Sequence, residues 1–132
     1  MSRPRERGAV SVELALVTPI LLMLVLGGVH LGRALGARHR LSEAVSQATR
    51  SAAIANVDNQ ATIATYVRTR MDAAGPGCTE IRVRSSVSTN AFGIRALEVM
   101  ASCTLPAPFG ERLLGAMGPS EVSASAAMPM GL

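Results

Sequence analysis

The strongest constraint on this chain is a stretch of 24 residues, Ala9 to Gly32, that holds one carboxylate, Glu13, one imidazole, His30, and no Lys or Arg. Its middle, LALVTPILLMLVLGGV from Leu14 to Val29, is uncharged for 16 positions. As a helix rising about 1.5 Å per residue, the stretch reaches roughly 36 Å and can cross a hydrocarbon layer of about 30 Å. A chain of 132 residues has little further mass with which to bury such a helix on every side. The segment therefore reads as a membrane span, preceded by a polar leader, MSRPRERG, with three arginines.

Past the span the helical pattern continues. Ala34, Leu41, Val45, Ala48 and Ala52 recur at helical spacing, while Arg38, Glu43, Gln47 and Arg50 fall on other faces. The spacing predicts one long helix over about Val10 to Ala55, weakly amphipathic in its second half because Ala stands where Leu would be stronger. Asn56, Asp58 and Asn59 interrupt it, and a second helix is expected over about Ala61 to Ala74 with Ile63, Val67, Met71 and Ala74 on one face, ended by Gly75-Pro76-Gly77.

The pattern then changes to a period of two. Ile81, Val83, Ser85 and Val87 alternate with Glu80, Arg82, Arg84 and Ser86, and Leu97, Val99, Ala101 and Cys103 alternate with Glu98, Met100 and Ser102. Asn90-Ala91-Phe92-Gly93 supplies the turn between them. A short Leu113-Leu114 segment lies between Pro108 and Pro119, and Val122, Ala124, Ala126 and Met128 predict a third strand. The expected fold class is α+β: a long N-terminal helix, then a small domain with a second helix and an antiparallel sheet of about three strands. The expected divisions are a leader at residues 1–8, the helix at 9–56 with its membrane part at 9–32, and the small domain at 57–132.

Several function classes find no support. All 13 basic residues are Arg, but only Arg3, Arg5 and Arg7 are grouped, and aromatics make up 2% of the chain without any Trp. Nucleic-acid binding would want a basic stripe with stacking rings, so no nucleic acid is expected. Catalysis needs a nucleophile with its base, paired carboxylates or a metal set; the chain has no Lys, two Asp, and two histidines, His30 and His39, that flank the span and read as interface residues. No catalytic, metal or cofactor-binding residues are assigned.

Cys78 and Cys103 lie 25 positions apart with no CxxC and no nearby His. That argues against zinc and for one disulfide in an oxidising compartment. The two sit at equal distance from Asn90-Ala91, at the outer ends of the expected hairpin. Strict pairing of the two would set Ile81 opposite Met100 and Val83 opposite Glu98, inward facing outward. A bulge, or a Cys78 placed before the strand proper, would remove the conflict. The arginines just outside the span, Arg33, Arg38 and Arg40 against Arg3, Arg5 and Arg7, balance each other, so the positive-inside rule leaves topology open. The cysteines place the C-terminal part outside the cytoplasm.

The junction RERGAVSVE joins these readings. A basic leader ends at Gly8, an apolar helix begins at Ala9, and Glu13 is the fifth residue after the glycine. This resembles a class III prepilin signal, and RGAVSVELALVTPILLMLVLGGVHLGRAL as a whole is similar to the opening of the TadE-like minor pseudopilins of the tight adherence (Flp, type IVb-like) pilus system. The resemblance implies removal of the leader after Gly8 by a prepilin peptidase, with Ala9 as the new N-terminus and the formal charge falling from +4 to +2. It implies that Glu13 serves subunit assembly by pairing with the freed amine of a neighbouring subunit. It also implies a small periplasmic domain with a cysteine pair, and as partners the prepilin peptidase, other pilin-like subunits, the inner-membrane assembly platform and the lipid bilayer. Leu14 stands where pilins of this system carry an aromatic, which together with the length points to a minor subunit in place of the major one.

Two other readings of the N-terminus remain: a secretory signal peptide cleaved near Ala34-Leu35-Gly36, and an uncleaved single-span anchor carrying a periplasmic or extracellular binding module. The mature N-terminus separates them, being Ala9 in the pilin-like case, a residue near Ala37 in the second, and the intact leader in the third.

Overall fold

The computed structural model describes residues 4–73, 77–106 and 121–130. Two helices, α1 (Pro4–Ile54) and α2 (Gln60–Ala73), precede three strands, β1 (Glu80–Thr89), β2 (Arg95–Thr104) and β3 (Glu121–Pro129), in an antiparallel sheet of order β1-β2-β3. The long helix, the second helix and the three-stranded antiparallel sheet make the fold α+β. The expected Leu113-Leu114 segment and the Gly75-Pro76 stop lie outside the described residues.

The first helix begins at Pro4, six residues before the expected start, so it runs through the Gly8 junction without a break. Proline is well tolerated in a first helical turn, where its missing N–H has no intrahelical partner to lose. Further along, Pro19 withholds the N–H that would reach the Ala15 carbonyl. Beside it the Thr18 hydroxyl donates to the Leu14 carbonyl at 2.6 Å.

The C-terminus of α1 is closed by a Schellman arrangement. Asn56, in the left-handed region at φ 55°, donates from its N–H to the Ala53 carbonyl, and Val57 donates to Ala52 at 2.9 Å. Asparagine tolerates that conformation better than most residues. Asn59 then caps α2, its Oδ1 accepting the Ala61 N–H at 2.9 Å. The interruption expected at Asn56, Asp58 and Asn59 is thus a helix stop followed directly by a helix start.

The chain forms two compact units, Met1–Gly32 and Arg33–Leu132. In the second, one core is shared by the helices and the sheet. Ala34, Ala37, Leu41, Ala44, Val45, Ala48 and Ala52 of α1 join Ile63, Ala64, Val67 and Met71 of α2. Against them lie Val83, Leu97, Val99, Ala101, Cys103 and Val122 from the strands. Among these buried residues only Leu, Ile and Met are larger than Val, so close approach of elements supplies the packing that rings supply elsewhere. Thr49 is fully buried and satisfied, its hydroxyl donating to Val45 O at 2.7 Å.

The strand register settles the conflict left by the cysteines. Ile81 pairs with Cys103, Val83 with Ala101 and Val87 with Leu97, while Cys103 pairs with Val122 on the other side. All the apolar sets therefore share one face. Of the two expected ways out, the second is found: Cys78 lies before the strand proper, two residues ahead of β1, and reaches Cys103 from outside the ladder, Cα–Cα 5.5 Å, as a disulfide. The hairpin centre moves to Phe92 because the last pair is Thr89 with Arg95, leaving a five-residue loop. Asn90 shapes that loop: its Oδ1 accepts the N–H groups of Phe92 and Ile94 at 3.0 and 2.9 Å, and Gly93 takes φ +77°.

Candidate functional site

The residues of the first compact unit owe their properties to one pattern. From Val10 to Leu31 most positions are Val, Leu, Ile or Met, all good or acceptable in a helix, and these large side chains stay exposed. Leu16, Ile20 and Leu24 are 69%, 66% and 71% exposed. No residue of the most apolar 18-residue window is buried. By length and composition this part of α1 can cross a membrane. Contiguous apolar surface of this extent is far above what a soluble monomer leaves open, so it requires lipid or other helices around it.

Glu13 sits in this surface, exposed and helical, four residues after Ala9. The one ion pair among the described residues, Arg82 with Glu80 at 3.0 Å, lies far along the chain on β1, so Glu13 has no counter-charge of that kind within the described part of its own chain. Gly8 is exposed, and a Cβ built there meets nothing within 4 Å. The structure brings Gly8, Ala9 and Glu13 onto successive turns of one helix and leaves Cys78 and Cys103 joined in the other unit. Of the two histidines flanking the span, His39 is exposed and His30 is buried.

With this geometry stands a comparison by sequence. A family model described as TadE-like protein matches residues 8–50. That stretch of the chain is similar to TadE-like proteins. The match opens at Gly8 and runs through the apolar stretch into the Ala-rich half of α1. The match covers about a third of the chain. The single apolar N-terminal helix is compatible with a single-pass membrane anchor. No curated protein and no solved structure matches the chain.

One feature, drawn mostly from the sheet, escaped the sequence reading. Arg82 and Arg84 of β1, Ser102 of β2 and Ser123 and Ser125 of β3 point away from the core and border an open cavity, with Arg38 and Ser42 of α1 at its side. The outward phase of each strand was visible in the sequence. What was not visible is that α1 contributes to the same cavity.

Proposed function

We propose that this chain is a minor pilin-like subunit, a pseudopilin, for assembly of a Tad/Flp-type adhesion pilus or a related secretion machine. The observation that carries the reading is the coincidence of the TadE-like match with a helix whose most apolar 18-residue stretch has no buried residue among those described. In this reading residues 1–8 are a leader, residues 9–32 of the 9–56 helix lie in the inner membrane, and residues 57–132 form a periplasmic domain held by the Cys78–Cys103 disulfide. A prepilin peptidase cuts between Gly8 and Ala9, and the subunit then packs with other pilin-like helices on the inner-membrane platform.

Processing creates the partner of Glu13. A carboxylate in an apolar helix costs on the order of 2–3 kcal/mol at the bilayer centre and less near its edge, so its presence calls for a compensating charge. The amine of Ala9 exists only after cleavage, and on a neighbouring subunit shifted along the helix axis by about four residues, roughly 6 Å, it meets the carboxylate. A competing role is local: a carboxylate in the first turns of a helix is favoured by the helix dipole by about 0.3–1 kcal/mol without any partner.

N-terminal sequencing of the mature protein and a pair of variants test the proposal. Gly8→Leu is expected to block cleavage and accumulate precursor. Glu13→Ala is expected to leave cleavage and insertion intact while weakening crosslinks to other pilin subunits and lowering pilus assembly. An N-terminus near Ala37, or an intact leader in the mature protein, would replace the pilin-like reading by that of a secreted or anchored binding module. Normal assembly by Glu13→Ala would assign the carboxylate to the helix dipole.

A further inference from the structure

The face of the sheet turned from the core is built in rows. Arg84 stands beside Met100 and Ser125, and the next row is Arg82, Ser102 and Ser123. Residues two apart on a strand emerge on the same side roughly 6.6 Å apart, so the two guanidinium groups are neighbours of like charge. Arg82 is engaged by Glu80, whose hydrogen bond and then whose charge raise the guanidinium pKa above its usual value. Arg84 has no hydrogen bond or ion pair among the described residues, and neither has Arg38. The hydroxyls of Ser42, Ser102, Ser123 and Ser125 are equally uncommitted there. These groups surround a cavity of about 620 Å³.

We propose that this cavity binds an anionic, hydroxylated ligand of the glycerophosphate type, with Arg84 and Arg38 on the phosphate and the serines on the hydroxyls. Two guanidinium forks with their N–H groups unspent match phosphate oxygens in bidentate geometry, and such charge-assisted bonds are roughly twice as strong as neutral ones. The serines can each donate to and accept from a polyol. Among the described residues the apolar lining is confined to Met100, Ala101 and Ala124, which gives an apolar ligand little to bury. Glu121, also at the cavity, accepts from a ligand hydroxyl and disfavours a second negative charge beside the phosphate. The same chemistry is offered by a soluble glycerol phosphate and by the headgroup of a phosphatidylglycerol lipid. The proposal does not depend on the pilin-like reading.

The test uses the full chain in phosphatidylcholine nanodiscs, titrated with glycerol 1-phosphate and followed by calorimetry. Saturable binding is expected that weakens at least tenfold in R84Q and in R38Q, is unchanged in R50Q, whose side chain lies outside the cavity, and declines as salt is raised. Both substituted arginines are exposed and unpartnered, and unchanged circular dichroism would verify that the fold is kept. Absence of saturable binding at low salt, or equal binding by the R38Q/R84Q double variant, would overturn the site. Equal affinity for inorganic phosphate would overturn the role of the serines. Replacing phosphatidylcholine by phosphatidylglycerol identifies the source: loss of the soluble titration in the unaltered protein assigns the site to the lipid headgroup, and an unchanged titration assigns it to the soluble ligand.

Discussion

Opening the Cys78–Cys103 bridge is the perturbation whose cost the structure defines best. The bridge closes a loop of sequence separation 25 that contains all of β1 and β2 up to Cys103, and it joins a residue just before β1 to the fully buried Cys103 on the central strand. In the loop-entropy account a cross-link over such a length stabilises the folded state by about 3.5 kcal/mol at room temperature. That is a large share of the roughly 5–15 kcal/mol that a small domain has in total, and this core is built mainly of Ala and Val. Comparing the oxidised chain with the same chain under reductant isolates the cross-link, since a Cys103→Ser variant would also bury an unpaired hydroxyl. The readout is amide exchange on β2, at Leu97, Val99 and Ala101, which pair on both sides and report the opening of the sheet. A loss of about 3.5 kcal/mol accelerates that exchange roughly 300-fold. An acceleration below about tenfold, which corresponds to 1.4 kcal/mol, would refute the argument that the bridge anchors the hairpin. So would two free thiols in protein purified without reductant.

Three further substitutions probe the second compact unit. Leu41→Ala removes a side chain with no exposed surface from the face of α1 that joins the core, and is expected to cost about 2–5 kcal/mol in denaturant titration. Asn59→Ala deletes the acceptor for the Ala61 N–H and is expected to cost about 1 kcal/mol in the same assay. Gly93→Val forces a β-branched residue into the left-handed region at the hairpin loop, with an expected loss of about 1–3 kcal/mol and faster exchange of the Asn90 amide that donates to Ile94.

Much of this architecture is legible because its elements are long and strongly periodic. The helix expected over Val10 to Ala55 is found at Pro4–Ile54, and all five residues named on its apolar stripe, Ala34, Leu41, Val45, Ala48 and Ala52, are buried. The strand faces are right for the same reason: a period of two leaves no freedom once one side is polar. Register was the weak point. A symmetric placement of the cysteines about Asn90-Ala91 looked natural, but a disulfide constrains two Cβ positions and says nothing about which residues pair in a ladder. The decisive detail was the side chain of Asn90, which closes a five-residue loop and moves the hairpin centre to Phe92. The cavity was hidden for another reason: its serines and arginines are spread from Arg38 to Ser125 and meet only when helix and sheet come together.

The two halves of α1 show how one helix is written for two solvents. Between Val10 and Leu26 the large apolar side chains are all exposed, so this half shows no buried stripe. Between Ala34 and Ala53 the apolar positions narrow to a stripe, and the residues on it are mostly alanine. Alanine has the highest helix propensity and loses no rotamer freedom on burial. It also buries little area, at about 25 cal/mol per Å², so an Ala stripe holds its partners weakly unless they come close. Leu41 and Val45 add bulk at the centre, and Ile63, Val67 and Leu97 meet them there. Polar substitutions within the stripe at Leu41 would unfold the domain, whereas apolar swaps between Leu16 and Leu24 would change what surrounds the helix and leave the domain intact.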